Sequence, residues 1–181
     1  MAAVGVSDRL ERLAELAVRV GANVQPGQLV EVSASVEHVP LVRAVASAAY
    51  RAGARYPLIV AIHGGPAAAD LLGLPGGSDS QVYAGAGYAV LMPNYRASTN
   101  YGERFKIETQ GDYFTKGFQD IMTGVDYLIA QGIADSTKMG ALGWSAGGHY
   151  SNWIIGHTDR FKAISSGAGV ANWISMWSQS D

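Results

Sequence analysis

Met139-Gly140-Ala141-Leu142-Gly143-Trp144-Ser145-Ala146-Gly147-Gly148 decides the reading of this chain. The apolar run Met139 to Leu142 reads as a buried strand, and the stretch Gly147 to Ile155 reads as a helix. Between them Gly143-Trp144-Ser145-Ala146-Gly147 has the form of a nucleophile elbow, a sharp turn that lifts a serine hydroxyl above the end of a strand. Glycines two positions on either side of Ser145 let strand and helix pass close together there. Ser145 is therefore the candidate nucleophile.

Outward from the elbow, strands are expected at Leu58 to His63, Tyr88 to Met92 and Lys162 to Ser166 in addition to Met139 to Trp144. Their apolar character suits a buried, mostly parallel sheet. Phe118, Ile121, Val125, Leu128 and Ile129 form one face of an intervening helix. The fold class is α/β, a partial α/β-hydrolase over residues 56–181.

The composition changes near Arg55. Before it every basic side chain is Arg or His and Tyr50 is the only aromatic residue, whereas every Lys and Trp follows it. Residues 1–55 read as helix, strand, helix. Asp8 to Val20 places Leu10, Leu13, Ala17 and Val20 at helical spacing, with Ser7 as a cap. Gln25-Pro26-Gly27 turns the chain, Leu29 to Ser33 forms a strand, and Pro40 to Ala52 forms the second helix. Two units are expected, 1–55 and 56–181.

With 181 residues, 48% hydrophobic and 15% charged, the chain can bury a substantial core. A net charge of -2 with scattered Lys and Arg offers no face for nucleic acid. There is no cysteine, which excludes disulfides, thiolate metal sites and a cysteine nucleophile. Acidic and basic residues from Asp8 onward leave no room for an amino-terminal secretion signal, and no apolar run approaches the roughly 20 residues of a membrane span. A soluble, cytoplasmic protein without membrane contact is expected.

A serine nucleophile needs a base for its proton and donors for the developing oxyanion. His63-Gly64-Gly65-Pro66 ends the first strand of the hydrolase-like part, and Gly65 N–H together with Ala146 N–H are the candidate oxyanion donors. The base is open. His63, in the oxyanion loop, and His149, one helical turn after Ser145, are the two candidates. His38 and His157 read as a surface residue before a helix and a helix-terminal residue. Asp112, Asp120 and Asp126 precede the nucleophile and read as loop or helix-surface carboxylates. Trp144 is the pocket candidate among Trp144, Tyr150, Trp153, Trp173 and Trp177, whose other role is packing against the sheet. Gly85-Ala86-Gly87 precedes a strand rather than following one, so no dinucleotide or other cofactor is expected.

Residues 56–181 resemble the first part of the catalytic domain of the prolyl oligopeptidase family, nearest its acylaminoacyl-peptidase branch. The resemblance rests on Tyr56 to Val60 running into His63-Gly64-Gly65-Pro66, on Gly87 to Leu91 with Pro93-Asn94-Tyr95-Arg96, and on Asn100-Tyr101-Gly102. Asp120-Ile121, Gly124-Val125, Gly143-Trp144-Ser145 and Asp159 to Ala163 extend it. It implies a serine hydrolase of small ester or peptide substrates. Ala146 stands where this branch commonly has tyrosine, and the family's aspartate and histidine would fall after residue 181.

Leu10 to Tyr56 is similar to the start of the thermophilic metalloaminopeptidases of the aminopeptidase T type. Ala14 to Ala17, Gly21 to Gln28, and Pro40 to Arg43 leading to Gly53-Ala54-Arg55-Tyr56 carry this likeness. No metal site is expected, since that family's ligands lie later and Glu37-His38 supplies too few. Three readings follow: an esterase or peptidase acting through Ser145, a non-catalytic truncated or fused hydrolase domain, and one half of a complementing pair. An exposed edge at Lys162 to Ser166 would favour a homo-oligomer.

Overall fold

The computed structural model describes residues 6–28, 30, 32, 38–71 and 80–179. Helix α1, Val6–Leu16, runs into a π-helical turn, Ala17–Gly21, and α2 spans Val39–Arg51. The two helices close a small core of Ala14, Val18, Val24, Ala48, Ala49 and Ala54. The inward face of α1 differs from the expected one: Ala14 and Val18 are buried, while Leu13, Ala17 and Val20 are exposed. Small residues on both helices allow close packing there. Ser7 lies inside α1 rather than capping it. Of the expected strand Leu29 to Ser33, Leu29, Glu31 and Ser33 lie outside the described residues, and Val30 and Val32 are in no strand. Glu15 joins the helices through Arg19 and Arg51 at 2.7 and 2.8 Å, and these guanidiniums hold its carboxyl below the usual range.

Four parallel strands form the second core: β1 Tyr56–Ile62, β2 Ala89–Leu91, β3 Ala134–Trp144 and β4 Ala163–Gly167, in the order β2-β1-β3-β4. Short helices α3, Ser80–Gly85, and α4, Glu103–Ile107, precede and follow β2. Helix α5, Thr115–Ala130, leads into β3. Helix α6, Ala146–His157, follows β3 directly, and α7, Trp173–Gln179, follows β4. All four expected strands and both long helices are present. The short helices lack a long apolar repeat and were not legible.

One sheet face is well covered. Leu58, Val60, Ile62, Met139 and Ala141 pack with Ile121 and Val125 of α5 and Tyr150 and Ile154 of α6. The opposite face is only half-buried at Ile59, Ala61 and Leu142. Parallel sheets ordinarily have both faces covered, so this side is open for a cavity. Strand β4 ends the sheet, with Ala163, Ser165 and Ser166 exposed.

Register brings the carboxyl ends of β1, β3 and β4 together: Ile62 lies beside Gly143, and Trp144 beside Gly167. The loop after β2 is pinned to α5 by Arg96. Its Nε and backbone N–H donate to Asp120 Oδ2 at 2.8 Å, and Nη2 donates to Oδ1 at 2.9 Å. A two-toothed pair of this kind, largely shielded from water, fixes direction as well as distance.

Two substitutions test this framework by urea denaturation. Asp120→Asn should lower stability by about 2 kcal/mol through loss of the charged bonds to Arg96. Gly147→Ala should cost about 3 kcal/mol, because its added methyl would run into the Ile62 carbonyl. Unchanged midpoints would refute the packing described.

Candidate active site

The turn from β3 into α6 places Ser145 at the helix amino terminus with φ 58° and ψ -118°. For a non-glycine residue this is a strained conformation. It is held from both sides: Ser145 N–H donates to Gly167 O at 2.9 Å, and His149 N–H donates to Ser145 O at 3.0 Å. A side chain on Gly143 would strike the Gly147 carbonyl, and one on Gly147 would strike that of Ile62. The glycine spacing thus has the steric cause inferred from the sequence. Ser145 itself is exposed.

The loop after β1 lies against this turn. A Cβ at Gly64 would be 2.9 Å from Trp144 O and 3.2 Å from Ser145 Cβ. Gly65 follows with φ 129°, which strongly favours glycine. Among the described residues, neither Gly65 N–H nor Ala146 N–H donates to a protein acceptor. Ala146 opens α6, where the first-turn N–H groups lack intrahelical partners and carry partial positive charge.

His63 is built into this loop. Its Nδ1 lies 2.8 Å from Gly64 O and its Nε2 2.9 Å from Ser98 Oγ. Gly64 O can only accept, so its contact with Nδ1 calls for a proton there, and the single Ser98 hydroxyl proton cannot serve both Nε2 and Tyr95 O at once. The ring stacks on Tyr95 at 4.6 Å, Tyr95 OH donates to His63 O at 2.9 Å, and Ser98 OH donates to Tyr95 O at 2.6 Å. Gly64 C=O and Gly65 N–H belong to one planar peptide, so anchoring the carbonyl also orients the N–H away from the imidazole. Tyr95 and Ser98 are fully buried. Burial first, then the nearby Tyr150, push the Tyr95 hydroxyl far above its ordinary range, so it serves as a neutral donor.

His149 is buried beside Tyr113 and Trp173. Its Nδ1 is 3.3 Å from Tyr113 OH and its ring centre 5.0 Å from that of Trp173. Desolvation holds its pKa below the ordinary histidine value. His157 stacks on Trp153 at 3.6 Å, with its Nδ1 2.8 Å from the Trp153 carbonyl. Ser145 Oγ has no imidazole hydrogen-bond partner among the described residues.

The aromatic candidates separate cleanly. Tyr150 is buried, donating to Tyr113 O at 2.7 Å, and Trp153 stacks on Phe114 at 4.5 Å. Trp173 is partly exposed and Trp177 is 90% exposed. Trp144 lines a cavity of about 500 Å³ beside the turn, together with Gly64, Met92, Tyr83 and Asp70. Asp70 carried no motif in the sequence. Asn94, Tyr95 and Ser98 lie in or near a recognisable segment, but their bonds to the loop depend on tertiary contacts. No group of three or more metal-ligating side chains occurs among the described residues, and no described helix is long and apolar enough to cross a membrane.

Comparison with known proteins places this geometry. Residues 6–64 match the thermophilic metalloprotease (M29) family pattern. The chain is 42% identical over 127 residues to the uncharacterized peptidase YuxL of Bacillus subtilis, covering 70% of this chain and 19% of that protein. The acylaminoacyl peptidase of Pyrococcus horikoshii has 32% identity and a TM-score of 0.64 over 70% of this chain and 21% of that one. A puromycin-hydrolyzing peptidase of Mycobacterium tuberculosis gives 28% identity and a TM-score of 0.66, covering 70% and 19%. The chain thus spans about a fifth of the length of these proteins. Residues 77–181, which include the elbow, match the prolyl oligopeptidase family pattern, and the chain belongs to that family.

Proposed function

We propose that this chain carries the nucleophile and oxyanion-binding half of a serine hydrolase acting on ester or peptide bonds. The observation that carries the reading is Ser145 held at φ 58° on the turn between β3 and α6, beside two N–H groups without protein acceptors among the described residues. Ser145 Oγ attacks the substrate carbonyl, its proton passes to a base, and the carbonyl electrons move onto oxygen. Gly65 and Ala146 N–H donate to that oxyanion. Loss of one such donor costs about 2.7 to 4 kcal/mol in serine proteases, so the pair supplies a large share of the stabilisation. His63 is assigned to positioning the Gly64-Gly65 peptide and His149 to the packing of α6. The base is then a third group, and residues 1–55 form a separate unit outside the chemistry.

That no imidazole among the described residues bonds Ser145 Oγ favours a second reading, in which the domain binds acyl compounds without turnover. Removal of a serine protease's base costs about 10⁶-fold in turnover, with roughly 10³ to 10⁴ over water left by the oxyanion hole and binding.

Treatment with a fluorophosphonate should add a single adduct mass to the wild-type protein and none to Ser145→Ala. Turnover of p-nitrophenyl acetate then separates the readings: Ser145-dependent turnover together with the adduct supports the hydrolase, whereas neither turnover nor adduct in a folded sample supports the binding domain and removes Ser145 as a nucleophile.

His149 gives a pH test. A histidine whose folded pKa lies below its unfolded value takes up more protons when unfolded, so its contribution is present above about pH 6.5 and lost as pH falls toward the folded pKa. His149→Gln should therefore lose less stability than wild type between pH 7.5 and pH 5.5. Equal losses in urea titrations would show that burial of the imidazole is not what acid opposes.

A further inference from the structure

We propose that Asp70 makes the cavity beside Ser145 a subsite for a cationic group, so that the preferred substrates are esters or peptides bearing an ammonium or guanidinium. The inference rests on the reading of Ser145 as nucleophile and adds the substrate class. The cavity of about 500 Å³ runs over the half-open sheet face and reaches Gly64 and Trp144, the neighbours of the nucleophile turn. That volume lies within the range of small-molecule sites. Its walls mix apolar and aromatic side chains, among them Ile62, Met92, Leu142, Tyr83 and Trp144, with the polar groups of His63, Ser80 and Ser165, and among its described lining residues Asp70 supplies the one carboxylate and no Lys or Arg is present.

Two features mark Asp70 as a built position. Its backbone is clamped by Asn94, with Asp70 N–H donating to Asn94 Oδ1 at 2.8 Å and Asn94 Nδ2 donating to Asp70 O at 2.9 Å. Its carboxylate, by contrast, has no ion pair and no hydrogen bond among the described residues. The seven ion pairs of the described residues all lie elsewhere. A half-buried acid on a fixed backbone, lining a cavity of mixed polarity, has no counter-charge among the described residues, and a substrate can bring one. Screening by water is weaker there than on an open surface, so the attraction is stronger. The faces of Tyr83 and Trp144 suit the methylenes and the charge of a basic side chain.

The test compares p-nitrophenyl esters of Nα-blocked lysine and Nα-blocked norleucine, which differ only in the terminal cation. Ser145 Oγ gives its proton to a base or to solvent and forms the acyl bond as the ester C–O bond breaks and p-nitrophenolate leaves, so the acylation burst reads the subsite even when deacylation is slow. The lysine ester should acylate about tenfold faster, and the ratio should fall toward 1 in Asp70→Asn and at high salt but persist in Asp70→Glu. The ester of norleucine with a free α-amine, run in parallel, tells a side-chain cation from an amino terminus. Equal rates for all three esters in the wild type would overturn the proposal. An independent arm needs no chemistry: n-hexylammonium and n-hexanol are titrated while the Trp144 indole resonance is followed. Saturation by the ammonium alone, lost in Asp70→Asn, supports the subsite, and equal binding of the alcohol refutes it. No acylation by any ester, together with ammonium binding, would remove the nucleophile reading and leave the cation site standing.

Discussion

Gly147 must lie against the carbonyl of Ile62 with nothing between them, and the rest of the site depends on that contact. It sets the distance from α6 to β1, and hence how far the α6 amino terminus reaches toward the loop that follows β1. A longer separation would draw Ala146 N–H away from Gly65 N–H and relax the backbone of Ser145. The constraint is repulsive: it works by forbidding a methyl group, and the apolar packing of Tyr150, Ile154 and Ile121 presses the elements up to that limit.

A second set of bonds acts along the chain rather than across it. Tyr95, Ser98 and His63 form a closed circuit with the carbonyls of His63, Gly64 and Tyr95. Each ring nitrogen and each carbonyl in the circuit lies within hydrogen-bond distance of a polar neighbour, with the one Ser98 proton serving either Tyr95 O or His63 Nε2, and these contacts stiffen the loop. Both ring nitrogens lie against polar neighbours, as the positioning role proposed above for His63 requires.

The sheet and the elbow were legible because their signals are local and strong. Four apolar runs, the 118–129 helical face and the paired glycines around Ser145 each encode their own environment. The face of α1 was misjudged because Leu13 outranks Ala14 in hydrophobicity and Val20 equals Val18, whereas packing against Ala48 and Ala49 selects for small size. Asp70 was invisible for another reason. The role proposed for it rests on the lack of a carboxylate partner among the described residues and on the neighbouring cavity, and neither leaves a trace in adjacent residues. The roles of His63 and His149 likewise waited on Ser98, Tyr113 and Trp173, distant in sequence from the imidazoles they meet.

The two cores differ in kind as well as position. The sheet core contains Tyr95, Tyr150, Met139, Ile121 and Leu58, while the described residues that the helical pair encloses are alanines and valines. Burial free energy scales with apolar area, so the helical pair draws on far less of it. Heat or denaturant should therefore release the helical pair while the sheet and its serine turn remain intact, making the two regions separate cooperative units.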